Sequence, residues 1–121
     1  MVLRISRNGI LGTEIQMDAP QYVHVTLEGE LDTSNVAQLY EELAELTRQG
    51  VRHITIDLAG LEFVDSTGLS ALIAAHKRAA SQGGELILHS PGRDIQRQFE
   101  MTGVDTFFNI RPSSGEAAST T

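Results

Sequence analysis

Between residues 22 and 58 the apolar period of this chain changes twice, and that alternation restricts the fold more than any other feature. Val23, Val25 and Leu27 alternate with His24 and Thr26, the two-residue period of a strand with one buried face. Gly29 is expected to end that strand. Val36, Leu39, Tyr40, Leu43 and Leu46 then recur at helical spacing, with Glu41, Glu42 and Glu45 largely off the stripe. This predicts an amphipathic helix over 33–49, capped by Asp32, Thr33 or Ser34 and stopped at Gly50. Ile54, Ile56 and Leu58 return to the strand period, opposite His53, Thr55 and Asp57. A strand, a helix and a second strand in that order imply a right-handed crossover and a parallel pair.

The flanking segments extend the same pattern. Residues 1–10 read as an N-terminal arm or an edge strand, and Leu11 to Met17 as a strand broken at Asp18-Ala19-Pro20. Leu69, Leu72, Ile73 and His76 share a face of a helix rich in alanine, over 67–82 and ended by Gly83-Gly84. Leu86-Ile87-Leu88 reads as a short buried strand. Ser90-Pro91 reads as the start of a third helix, with Ile95, Phe99 and Met101 as its apolar side and Gly103 as its end. Thr106 to Ile110 reads as a last strand, and 111–121, rich in Pro, Ser, Gly, Ala and Thr, as a disordered tail. The expectation is therefore one α/β domain over 11–110, in the order β-β-α-β-α-β-α-β, with a mixed, mostly parallel sheet. A sheet covered on both faces has near-continuously apolar strands, whereas these alternate, so the helices are expected mainly on one face.

Totals narrow the function. The 121 residues suit a single domain with a real core. Nine Lys and Arg oppose sixteen Asp and Glu, a formal charge of −7, which argues against direct DNA binding and permits a basic protein partner. The chain has no cysteine, which excludes disulfides and thiol chemistry. No apolar run approaches the ~20 residues that span a bilayer, and the first residues show no secretory pattern. We expect a cytoplasmic protein without membrane insertion.

The stretch LEFVDSTGLS, residues 61–70, places an acid, two hydroxyls and a glycine at the start of the second predicted helix. The first N–H groups of a helix lack internal partners, so a hydroxyl at Ser66 can cap it, and an added phosphate would suit the same place. Enzymatic readings fail on spacing. A nucleophile elbow needs glycine at position 64, which is Val64. An aspartic-protease motif needs Asp-Thr-Gly contiguous and a second copy. The phosphate-binding Gly-x-x-x-x-Gly-Lys motif is missing. His24, His53, His76 and His89 show no ligand-type clustering with carboxylates. No catalytic residue, metal site or cofactor is expected.

Three stretches together are specific: GELDTSN at 29–35, HITIDLAGLEFVDSTGLSAL at 53–72 and GGELILHSPGRDIQRQFEMTGVDTFF at 83–108. In these, the chain resembles the STAS-domain anti-sigma factor antagonists, also called anti-anti-sigma factors, from about Gly12 to Ile110. The resemblance implies partner switching. The unphosphorylated antagonist binds an anti-sigma factor with serine kinase activity and so frees the sigma factor. The kinase then uses ATP to phosphorylate the serine after the motif aspartate, and a PP2C-type phosphatase reverses this. Carried onto this chain, Ser66 is the phosphoacceptor. Asp32, Thr33, Asp65, Ser66, Thr67, Gly68 and Leu69 form the expected partner-binding set. The alternative is a constitutive STAS interaction subunit of a transport ATPase or a sensory complex.

Each of these residues also has a plainer role. Ser66 and Asp32 can be helix caps, and Gly68 can be a packing requirement. Leu69 can be core or an exposed anchor. Met101 and Phe99 read as core and His76 as an ordinary helix residue.

Overall fold

The alternating residues of β3 (Tyr22–Leu31), β4 (His53–Val64) and β5 (Glu85–His89) sort onto two faces of one sheet. Val23, Val25, Leu27, Ile54, Ile56, Leu58, Leu86 and Leu88 are buried, while His24, Thr26, Thr55, Asp57 and Ile87 on the other face keep partial contact with solvent. The computed structural model of the chain describes residues 2–7, 11–19 and 21–112. Its sheet has six strands in sequence order. β1 (Val2–Arg7), β2 (Leu11–Ala19) and β3 pair antiparallel, and β3, β4, β5 and β6 (Asn109–Arg111) pair parallel.

Three helices, α1 (Val36–Arg48), α2 (Ser66–Ser81) and α3 (Arg93–Thr102), make the crossovers. Every crossover steps to the next strand in one direction, so the usual right-handed connection puts all three helices on the same face. Leu39, Leu43, Leu46, Leu69, Leu72, Ile95 and Phe99 close the core from that side. Phe99 and Phe108 pack at 5.4 Å between ring centres, and His76 lies against Phe107 at 4.7 Å. The mixed sheet with helices on one face is the architecture that the residue pattern predicts.

The structure corrects several boundaries. Gly29 does not end β3. It takes a φ of +100°, the pairing register shifts on either side of it, and the strand runs on to Leu31. In the same way β4 runs beyond Leu58 through Ala59-Gly60-Leu61-Glu62 and reaches Val64. Both glycines thus mark irregularities inside strands rather than ends.

The third helix starts at Arg93 after Gly92. Ser90 does not cap it but sits at φ +60°, with its N–H donating to the Arg111 carbonyl at 2.7 Å. Met101, expected in the core, is 80% exposed. The last strand, expected over Thr106 to Ile110, is shorter and later: Thr106 closes a 3₁₀ turn over Val104–Thr106, the strand is Asn109–Arg111, and Arg111 thus belongs to β6 rather than to a tail. The expected tail from 113 on lies outside the described residues.

Two glycines set how closely the layers approach. A Cβ at Gly84 would meet the Arg52 carbonyl oxygen at 1.9 Å, and one at Gly68 would meet Val64 Cγ2 at 2.8 Å and Leu31 at 2.9 Å. The second contact seats the first turn of α2 on the end of β3. Gly68→Ala should therefore destabilise the protein by about 1–3 kcal/mol, the usual cost of overpacking, despite the better helix propensity of alanine. Urea titration checks this; a midpoint equal to or above that of the parent would contradict the packing account.

Candidate functional site

The extended ends of β3 and β4 deliver two aspartates to one edge of the sheet, where the chain turns into α1 and α2. β3 ends at Leu31 and β4 at Val64, and these two residues are register partners. The Asp65 N–H donates to the Leu31 carbonyl at 3.1 Å, so the second strand end is tied to the first. From the far side Gln98 of α3 donates its Nε2 to the Val64 carbonyl at 2.7 Å.

At the second turn Asp65 is the N-cap of α2. Its Oδ1 accepts from the Gly68 N–H at 2.9 Å and from the Thr67 hydroxyl at 2.6 Å. An aspartate here satisfies one of the orphan donors of the helix and places negative charge at the positive end of the dipole. Ser66 is therefore the first helical residue and not the cap. It is exposed, and its hydroxyl makes no hydrogen bond among the described residues.

The first turn mirrors this arrangement. Asp32 Oδ1 accepts from the Ser34 N–H at 2.9 Å and from the Ser34 hydroxyl at 2.6 Å. Asp32, Thr33 and Ser34 do not cap α1; its N-cap position is Asn35. Asn35 is buried and braces the turn, accepting from the Asp32 N–H at 3.0 Å and donating to the Glu30 carbonyl at 2.7 Å. The two turns touch: the Thr33 backbone N–H acts on the Asp65 carboxylate.

The structure therefore brings Asp32, Thr33, Asp65, Ser66 and Thr67 together at an accessible edge. It withdraws two others from the surface. Gly68 is buried against Leu31, and Leu69 is only 8% exposed and belongs to the core. The exposed apolar side chain beside the site is Phe63, at 48%.

Sequence reasoning passed over Asn35, Gln98 and Phe63. Asn35 directly precedes the helical stripe and is a preferred cap type, so its signal was present. Gln98 acts through a tertiary contact that local pattern does not encode.

Among the described residues no histidine hydrogen-bonds to Ser66. His24 lies 3.9 Å from Asp57 and His53 3.3 Å from Glu85, both pairs being on the helix-free face of the sheet. Among the described residues no group of three His, Asp or Glu could hold a metal ion. A serine nucleophile needs an adjacent base to be activated.

The Thr67 hydroxyl, then the Gly68 and Thr33 N–H groups, hold the Asp65 carboxyl below its ordinary 3.8. A depressed carboxylate stabilises the fold above its unfolded-state pKa, and that contribution is lost as the pH falls through the folded value. The Asp65 carboxyl carbon should accordingly titrate below 3.8 by NMR, and Thr67→Val should move its midpoint upward. A parent midpoint at or above 3.8 would remove these hydrogen bonds from the account.

Comparison with known proteins agrees with this geometry. Residues 14–117 match the STAS domain family. The chain is 32% identical over 92 residues to the anti-sigma-B factor antagonist of Bacillus subtilis, covering 76% of this chain and 84% of that one. Among solved structures it is similar to an anti-sigma factor antagonist from Mycobacterium paratuberculosis, with a TM-score of 0.77, 22% identity and coverage of 96% and 97%. It is also similar to the Bacillus cell fate determinant SpoIIAA in its phosphorylated form, with a TM-score of 0.68, 24% identity and coverage of 89% and 97%. The family signature and the Asp-Ser-Thr-Gly helix start coincide in one chain, which belongs to the STAS-domain anti-sigma factor antagonist family.

Proposed function

We propose that this protein is an anti-sigma factor antagonist switched by phosphorylation of Ser66. One observation carries the reading: an exposed hydroxyl, first in α2, that makes no hydrogen bond among the described residues, beside two aspartates whose carboxylates each hold a short turn. The relatives are named anti-sigma factor antagonists, and SpoIIAA, whose fold the chain shares, has been solved both unphosphorylated and phosphorylated.

In the unmodified state, Asp32, Thr33, Asp65, Ser66 and Thr67 meet an anti-sigma factor with serine kinase activity, with Phe63 as the apolar contact beside them. The sigma factor is thereby released. Transfer of phosphate from ATP to Ser66 ends the contact, and a PP2C-type phosphatase restores it.

The magnitudes suit a switch. Phosphate adds about −1.5 to −2 charges. At this edge it stands next to the Asp65 carboxylate and near Asp32, so an interface that accommodates the neutral hydroxyl meets both bulk and repulsion. A loss of ~3 kcal/mol lowers affinity more than 100-fold. The fold tolerates the same group, because the start of α2 favours negative charge. No helix among the described residues is long and apolar enough to cross a membrane.

Incubation with candidate anti-sigma kinases and ATP, followed by peptide mass spectrometry, tests the proposal. One phosphate should appear on the peptide holding Ser66, and Ser66→Ala should fold normally and take none. If no kinase adds phosphate while the protein stays bound to a larger assembly, the constitutive-subunit reading replaces this one.

A further inference from the structure

Ser66 and Thr67 are adjacent, both exposed and both alcohols, yet the structure treats them differently. The Thr67 hydroxyl donates to Asp65 Oδ1 at 2.6 Å, a short charge-assisted hydrogen bond, while the Ser66 hydroxyl makes none among the described residues. We propose that Asp65 is a positioning residue that selects the phosphoacceptor: by holding the Thr67 hydroxyl it leaves Ser66 as the alcohol of the pair that a kinase can use. This inference rests on the reading of Ser66 as the acceptor and adds what makes the choice.

The transfer step shows why the bond matters. The acceptor oxygen attacks the γ-phosphorus of ATP. An O–P bond forms as the bond from that phosphorus to the β–γ bridging oxygen breaks, ADP leaves, and the hydroxyl proton passes to a basic group of the kinase. Ser66 can rotate its O–H toward that group without losing a partner. Thr67 has to give up its bond to a carboxylate first, and the carboxylate is then left with its backbone donors alone.

Asp65 is also a poor substitute for the kinase base. It already accepts from the Gly68 N–H at 2.9 Å, and the Thr33 N–H acts on it as well. These donors favour its ionised form, so it holds the Thr67 proton by hydrogen bonding rather than removing it. The same carboxylate thus performs two tasks, capping α2 and silencing one of two neighbouring alcohols.

The experiment uses the full chain, ATP and the kinase that phosphorylates it in the test above, with the modified residue located by peptide fragmentation. In the parent, phosphate should lie on Ser66, with Thr67 carrying a few per cent of it at most. In Asp65→Asn, a neutral side chain that still caps a helix, the Thr67 share should rise about tenfold, the ratio given by ~1.4 kcal/mol. Ser66→Ala should take no phosphate, and Ser66→Ala with Asp65→Asn should take it again, on Thr67. A third design leaves Asp65 untouched in case its replacement unfolds the protein. Ser66→Ala with Thr67→Ser offers serine at position 67 while keeping the bond, and should remain silent. Phosphate on that variant, or a folded Asp65→Asn labelled on Ser66 alone, would overturn the selection by Asp65 and leave the function standing. A parent that no kinase phosphorylates overturns the function, and this inference with it.

Discussion

The hydrogen bond from the Asp65 N–H to the Leu31 carbonyl, at 3.1 Å, is the point on which the molecule turns. It joins the ends of two parallel strands at the level where both chains leave the sheet. Gly68 allows that join, because a side chain there would collide with Leu31 and Val64 and push the first turn of α2 away. Once the strand ends are fastened, the aspartates that follow them are neighbours, each with a short turn built on its carboxylate. A loop of ordinary mobility would need to order itself on meeting a partner. Here much of that entropy has already been lost in folding, which favours tight association through a small surface.

The same junction sets the residue proposed as the switch apart from the core. The core lies on the helix-covered face of the sheet, among Leu27, Leu31, Ile56, Leu58, Leu72, Leu88 and Phe99. Ser66 stands outside it at the start of α2. A charge added there meets the positive end of a sixteen-residue helix on the inside and whatever approaches on the outside. The two effects have opposite sign for folding and for binding. Asp65 already places a carboxylate at that helix start.

Much of this was legible in the residues. The change of period between residues 22 and 58 carries the α/β order, and the polar alternation in the strands carries the prediction of a helix-free face. What the pattern hid has physical causes. Gly29 looks like a strand end because glycine is the common breaker, but parallel pairing continues through it with shifts of register, a tertiary effect. Met101 stands two residues after Phe99, about half a turn away from the buried Ile95–Phe99 stripe, and so falls on the solvent side. Asp65 rather than Ser66 caps α2 because a carboxylate one residue earlier reaches the Gly68 N–H, and either residue is a good cap by type. The candidate site residues were read from the motif. That Thr67 is tethered while the Ser66 hydroxyl makes no bond among the described residues follows from geometry, which no sequence pattern displays.

The account stands or falls on the separation of binding from folding at Ser66. Isothermal titration of the kinase with the unmodified and the stoichiometrically phosphorylated protein, beside thermal melts of both forms, measures the two together. The account predicts an affinity lower by more than 100-fold for the phosphorylated form, equivalent to ~3 kcal/mol, with melting temperatures that agree within about 4 °C. Equal affinities, or a phosphorylated form that has lost its cooperative melt, would contradict it.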